Sequence, residues 1–133
     1  MTTSTIKTPA VSVNIEIATF IGDLFSYNNS LKLFHWHVTG VGSYAKHIAL
    51  DQAVASLTDI TDRIVETSYA MVGDLDINIP ITTRPDDIVK HSEEFYKTVE
   101  CNREFFPEAF SQSIIDEYQE AIQQLLYRLK RLQ

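Results

Sequence analysis

Apolar residues recur every three or four positions along most of this chain, which is the period of an amphipathic α-helix. The first stripe begins near Val13 and consists of Ile17, Phe20, Leu24, Tyr27, Leu31, Phe34 and Val38. The second consists of Leu50, Val54, Leu57, Ile64 and Met71. Glycines at 40 and 42 separate the stripes, Ser43 can cap the second helix, and Gly73 can end it. The pattern predicts two long helices joined by a turn, the second about thirty residues long.

The segment DLDINIPITTR, between Gly73 and Pro85, interrupts the helical period. It contains β-branched residues and a proline but no glycine, so we expect extended chain rather than a tight turn. Twelve extended residues reach roughly 40 Å, which is enough to follow a long helix along most of its length. The segment can therefore carry the chain along the molecule before the next helix begins.

Two further helices are predicted after this link. Pro85 suits the first position of a helix, with two aspartates following in its first turn, and the helix should stop before Pro107. The fourth helix is expected to follow Ser111 and Ser113. Its apolar stripe consists of Ile115, Tyr118, Ile122, Leu125, Leu129 and Leu132. We therefore predict an all-α fold, a four-helix bundle whose long crossover between the second and third helices favours ferritin-like connectivity.

The composition fits one globular domain over residues 1–133, with residues 1–11 as a flexible tail. The chain is 44% hydrophobic, enough for one core, and no apolar run reaches the roughly eighteen residues that span a bilayer. Its N-terminus lacks the features of a secretory signal, and its single cysteine, Cys101, cannot form an internal disulfide. We therefore expect a cytoplasmic protein with no membrane partner.

The net charge of −7 indicates which partners suit the surface. A negative surface repels phosphate backbones, so we do not expect nucleic-acid binding driven by counterion release. Cations are the more natural ligands of this chain.

Candidate ligands for a cation concentrate in FHWHVTGVGSYAKHIALD, residues 34–51. His35 lies near the end of the first helix, and His47 and Asp51 lie four residues apart near the start of the second, so the three side chains can converge. Farther along, Asp62 and Glu66 repeat the spacing of four, and like charges so placed destabilise a helix unless a positive group lies between them. Carboxylates and imidazoles together suit iron, manganese or zinc.

One ion cannot contact both groups of ligands in one chain. Asp51 and Asp62 are eleven residues apart in sequence, which places them about 16 Å apart along a helix axis. If two copies of the second helix pack antiparallel across a two-fold axis, the first group of one subunit meets the second group of its partner. The spacing therefore favours a two-fold dimer with two equivalent shared sites.

The order His35, Trp36, His47, Asp51, Asp62 and Glu66 resembles the ferroxidase signature of the Dps mini-ferritins, the DNA-binding proteins from starved cells. The resemblance is specific over residues 31–73. It implies a dinuclear iron site at a two-fold interface. In this arrangement His35, His47 and Asp51 bind from one chain, and Asp62 and Glu66 bind from the other. It also implies that Trp36 lies beside the metal, that peroxide or dioxygen oxidises Fe(II), and that a twelve-subunit shell stores the mineral for iron storage and oxidative protection.

The chain departs from that family in its link, which has no convincing short helix, and in its N-terminus, which has one lysine, Lys7. DNA binding is therefore not expected. His37 lies on a different helical face from the signature histidine, and we expect it at an interface rather than on the metal. No Glu-x-x-His motif of the ordinary ferritins is present, and we assign His91 and Glu94 to a solvated face.

Two other interpretations of the same residues stay open. The chain could be a non-catalytic helical interaction or structural protein that keeps a ferritin-like fold and dimer. It could also be a dimer that binds single zinc ions, since zinc and manganese accept the same ligand types as iron. Fe(II) oxidation that depends on Asp62 and Glu66 separates the ferroxidase from the first alternative.

Overall fold

Four α-helices make up most of the chain. The computed structural model describes residues 2–132, with the side chains of residues 13–132. The helices are α1 (Thr2–His37), α2 (Ser43–Val72), α3 (Ile88–Asn102) and α4 (Ala109–Arg131), with a 3₁₀ turn at Arg103–Phe105. The described residues contain no strand, so the predicted all-helical bundle is confirmed. The expected tail at residues 1–11 falls where side chains are not described, and it stays a prediction.

The limits of α2 agree with the turn residues at both ends. Gly42 precedes the helix with φ of 80°, and Gly73 follows it with φ of 84°. Both values lie in the left-handed region, which a glycine adopts without steric cost. Ser43 is the first helical residue rather than the cap, and no side chain caps this end of α2.

The third and fourth helices begin at different residues from those predicted. The Asp87 side chain accepts a hydrogen bond of 3.0 Å from the backbone N–H of Lys90, so Asp87 caps α3 and the helix begins three residues after Pro85. Helix α4 begins at Ala109, so Ser111 is a buried residue inside the helix rather than a residue ahead of it.

The apolar stripes of the helices meet in one core. Its fully buried aliphatic side chains are Ile21, Leu24, Leu31, Leu50, Leu57, Val99, Ile115, Ile122 and Leu125. Each contributes about 1.5–3 kcal/mol relative to an exposed side chain. Met71 and Leu132 were expected in the stripes but are exposed, because they lie at the very ends of α2 and α4. Within the described part of the chain, no helix is both long and apolar enough to cross a membrane.

A chain of buried hydrogen bonds sets the register of three helices. The Tyr118 hydroxyl on α4 donates to the Asn28 side-chain oxygen on α1 at 2.9 Å. The Asn28 amide donates to the Thr61 hydroxyl on α2 at 3.0 Å, and that hydroxyl donates to the Leu57 carbonyl at 2.7 Å. Because an unpaired polar group in the core is costly, these bonds disfavour sliding of one helix along another.

The link between α2 and α3, residues 73–87, lies against α1. The hydroxyls of Ser26 and Thr82 are 2.8 Å apart. Nearer the start of the link, Gly22 lies so close to Asn78 that a Cβ at position 22 would overlap the Asn78 carbonyl oxygen. Residue 22 contacts residue 78 and residue 26 contacts residue 82, so later residues of the link contact later residues of α1. The chain therefore follows α1 in its own direction before α3 begins.

Replacing Gly22 with alanine should destabilise the protein by about 1–3 kcal/mol, because the new methyl group displaces the link from α1. Alanine ordinarily stabilises a helix interior by about 1 kcal/mol relative to glycine, so the expected sign is reversed. Urea unfolding measures the effect. The control is Asn29→Ala, at an exposed position on the same helix, which should be neutral or slightly stabilising. A Gly22→Ala variant as stable as wild type would contradict the close approach.

Candidate metal centre

The turn between α1 and α2 brings His35 and His47 together. Their ring centroids are 3.7 Å apart, and the ring planes lie within 25° of each other. Asp51 lies one helical turn after His47, and its Oδ1 is 3.6 Å from His35 Nε2. The structure thus brings together the three side chains that the spacing placed near one another.

A hydrogen bond to the backbone selects the tautomer of His47. Its Nδ1 is 3.1 Å from the carbonyl oxygen of His35. A carbonyl oxygen only accepts, so Nδ1 carries a proton, and in the neutral ring Nε2 is the nitrogen that has the lone pair. The carbonyl belongs to the last turn of α1, where carbonyl groups lack helical partners. A backbone carbonyl that holds one ring nitrogen in this way leaves the other ready to bind a metal.

His35 is buried, yet neither of its ring nitrogens has a hydrogen-bond partner. The 3.6 Å separation from Asp51 is too long for a hydrogen bond. Burial is the main cause that lowers the pKa of His35. Positive charge on His47 and on Lys32 lowers this pKa further, whereas the Asp51 carboxylate raises it. The ring is therefore neutral at pH 7. A buried polar group without a partner costs about 1–3 kcal/mol, so this histidine requires an explanation.

Lys32 is the cation that faces Asp51. Its Nζ is 3.4 Å from Asp51 Oδ1 and 5.5 Å from the ring centroid of Trp36. Trp36 is 66% exposed, and its ring centroid is 6.2 Å from that of His35. Lys32 was not among the predicted site residues. The spacing of three between Lys32 and His35 is the signal that could have placed it on the same helical face.

Asp62 and Glu66 lie far from this cluster, on the exposed surface of α2. Within the described part of the chain, neither side chain has an ion pair or a hydrogen bond. Arg63, their neighbour, turns away and pairs with Glu117 on α4 at 2.9 Å. The two groups of predicted ligands are therefore separate in one subunit. Among the described side chains, no group of three or more His, Cys, Asp or Glu is arranged to hold a metal ion by itself.

The other two histidines lie in different environments. His37 is exposed and contacts Phe34, with ring centroids 6.2 Å apart. His91 and Glu94 were expected on a solvated face; Glu94 is exposed, whereas His91 is half-buried. The Nε2 of His91 is 2.9 Å from the Ser30 hydroxyl, its ring stacks on Tyr27 with centroids 5.5 Å apart, and burial lowers its pKa. It therefore joins α3 to α1.

Replacing His35 with leucine should raise the stability of the metal-free protein at pH 7.5 by about 1 kcal/mol, because two unpaired buried nitrogens disappear. The folded pKa of His35 lies below the unfolded value of about 6.5, so the unfolded state binds the proton more readily between them. Wild-type stability should therefore be lost as pH falls through 6.5 towards the folded pKa, and the leucine variant should lose less.

Urea unfolding at pH 7.5 and pH 5.5 in the presence of a chelator measures both effects. The control is His37→Leu, at an exposed position two residues away, which should keep the wild-type dependence on pH. A His35→Leu variant that is less stable than wild type and has the same dependence on pH would show that the two nitrogens are satisfied.

A family model matches residues 35–129 of this chain and is described as a family of unknown function, DUF5856. The match begins at His35 and includes all five candidate ligand positions. No curated protein and no solved structure matches the chain significantly. Because the matched region covers most of its length, the chain belongs to the DUF5856 family.

Proposed function

We propose that this protein is a ferroxidase of the Dps mini-ferritin type, which oxidises Fe(II) with peroxide or dioxygen at a dinuclear site shared by two subunits. The role that follows is iron storage and oxidative protection. The proposal rests on one observation. His35 is buried beside His47 and Asp51, and neither ring nitrogen of His35 has a hydrogen-bond partner. A metal bound at one of these nitrogens would compensate for the lost hydrogen bond.

The chemistry of the donor set fits iron. Two imidazoles and the carboxylates of Asp51, Asp62 and Glu66 offer nitrogen and oxygen ligands together, which suit iron and also zinc or manganese. The hydrogen bond of His47 Nδ1 to the backbone leaves Nε2 as the nitrogen that can bind the metal. Three carboxylates favour the ferric over the ferrous state, because the interaction with negative charge grows as the metal charge rises.

Two observations support a two-fold dimer as the assembly that completes the site. Asp62 and Glu66 are exposed and unpaired in the described structure, so they are free to meet ligands from another subunit. Near the first group of ligands, Trp36, Val41 and Tyr44 are large exposed apolar side chains, of the kind that subunit interfaces bury. A twelve-subunit shell built from such dimers belongs to the same proposal.

We also propose the ferritin-like connectivity, with the link from 73 to 87 as its long crossover. The contacts of Gly22 and Ser26 with the link support it, since they advance along α1 in the direction of the chain. Helices α1 and α4 each pack against both α2 and α3. This arrangement agrees with a link that returns the chain along the bundle, so that α2 and α3 run in the same direction.

The proposed reaction takes one electron from each of two Fe(II) substrate ions. With peroxide it is 2 Fe(II) + H₂O₂ + 2 H⁺ → 2 Fe(III) + 2 H₂O, in which the O–O bond breaks and both oxygens leave as water. Because two electrons are delivered together, free hydroxyl radical is not a product. In this scheme the protein residues hold the two ions close enough for joint electron transfer, and the carboxylates stabilise the ferric charge.

The ion pair between Lys32 and Asp51 favours a second candidate function. If the lysine permanently neutralises this carboxylate, the cluster needs no metal and the chain is a non-catalytic helical interaction or structural protein. That candidate predicts no acceleration of Fe(II) oxidation by wild type or by any variant.

Exchange of subunits between two inactive variants tests the shared site. One variant carries His35→Ala with His47→Ala, and the other carries Asp62→Asn with Glu66→Gln. Each should oxidise Fe(II) no faster than buffer, because every site lacks one group of ligands. Refolding the two together should restore one complete site in each mixed dimer. Random pairing makes about half the dimers mixed, so the recovered rate should approach roughly a quarter of the wild-type rate per subunit.

The rate of Fe(III) formation under peroxide or air is the measurement, and native mass spectrometry counts the mixed dimers. A mixture of separately folded variants should stay inactive. Asp86→Asn with Glu120→Gln removes the same charge at exposed positions and should keep the wild-type rate. If the Asp62 and Glu66 variant oxidises Fe(II) as fast as wild type, or if proven mixed dimers recover no activity, the ferroxidase assignment is wrong.

A further inference from the structure

We propose that Lys32 is an internal counter-cation of Asp51 that an incoming divalent metal must displace. It therefore determines the metal concentration at which the site fills and the minimum charge that a cation needs to enter. This inference rests on the proposed metal site and names a residue that regulates it.

The same carboxylate oxygen lies beside both Lys32 and His35. Asp51 Oδ1 is 3.4 Å from Lys32 Nζ and 3.6 Å from His35 Nε2. Oδ1 is the Asp51 oxygen that lies between the His35 ring and the lysine ammonium. A metal ion that joins His35 to Asp51 through this oxygen would compete with the lysine for it.

The competition depends on charge. Lys32 brings one positive charge to one carboxylate, and the pair is partly exposed, with side-chain exposures of 37% and 57%. Such a pair is weak enough to exchange. A monovalent ion gains no more from Asp51 than the ammonium does, whereas a divalent ion gains twice the attraction. The lysine thus keeps monovalent cations out and raises the concentration of divalent metal that half-fills the site.

Trp36 gives the displaced lysine a second position. The ammonium is already 5.5 Å from the centroid of the Trp36 ring, within the range of a cation–π interaction. The lysine stem is flexible, so Nζ can leave Asp51 while it stays above the ring. Because the chain has one tryptophan, its fluorescence reports on this environment without interference from other tryptophans.

The test is a Zn(II) titration of the metal-free, full-length protein, since zinc binds the same ligand types as iron and has no redox chemistry. Calorimetry gives the Kd for wild type and for Lys32→Gln, and Trp36 emission is recorded in parallel. An exposed ion pair of up to about 1 kcal/mol corresponds to a factor of about five in binding. Lys32→Gln should therefore bind Zn(II) about fivefold more tightly, and K⁺ should compete with Zn(II) only in this variant.

Two controls separate the role of Lys32 from general effects of charge. Lys32→Arg keeps a positive charge at the site and should bind Zn(II) close to the wild-type affinity. Lys90→Gln removes one charge at an exposed position on α3 and should also bind like wild type. If Lys90→Gln tightens binding as much as Lys32→Gln, net charge is responsible and the proposal for Lys32 is wrong.

The remaining outcomes distinguish the two proposals. If wild type binds Zn(II) and Lys32→Gln binds it with the same or a weaker affinity, the counter-cation role is wrong but the metal site is supported. If neither wild type nor Lys32→Gln binds Zn(II) or Fe(II), both the counter-cation role of Lys32 and the ferroxidase proposal are wrong.

Discussion

Helix α2 runs for 30 residues without interruption, and a rise of 1.5 Å per residue keeps Asp51 about 16 Å from Asp62. A packed helix cannot shorten, so no rearrangement within one subunit brings these carboxylates to a common ion. The length of the helix therefore places Asp51 in one half of α2 and Asp62 and Glu66 in the other. A shared site between two copies is the arrangement that satisfies this constraint, and the proposed chemistry depends on it.

The first half of the site contributes little to stability. The ring nitrogens of His35 are buried without hydrogen bonds, which disfavours folding, and Lys32 and Asp51 form only a weak, partly exposed pair beside the ring. A structural core would place a leucine at position 35. Departures from the rules of good packing are expected where function requires them, and the rest of the core compensates for their cost. The unpartnered ring nitrogens of His35 are the atoms that a bound metal ion would satisfy.

Helix α1 connects this site to the remainder of the bundle. His35 lies at its C-terminal end. In its middle, Asn28 accepts a hydrogen bond from the Tyr118 hydroxyl, and Gly22 permits the close approach of the link. His91 on α3 contacts the same helix through Ser30. A change along α1 therefore affects the position of the ligands as well as the packing of the bundle.

The sequence by itself determined the features that depend on local spacing. The period of the apolar residues predicted the helices, the glycine at 73 predicted the end of α2, and the short turn at 40–42 predicted that His47 and Asp51 approach His35. These relations hold because a helix places residues four apart on one face, whatever surrounds it. The start of α3 was predicted at Pro85, but the helix begins after Asp87. Proline and aspartate are both favoured at the beginning of a helix, and the hydrogen bond of the Asp87 cap decides the position.

Only the tertiary structure decided which neighbours the polar residues have. It packed His91 against Ser30, left both ring nitrogens of His35 without partners, and placed Lys32 beside Asp51. It also laid the link against Gly22. The physical reason is that apolar periodicity shows which face of a helix is buried but not which element covers it. Histidine and lysine, part apolar and part polar, fit both core and surface, so their environment depends on contacts between residues distant in sequence.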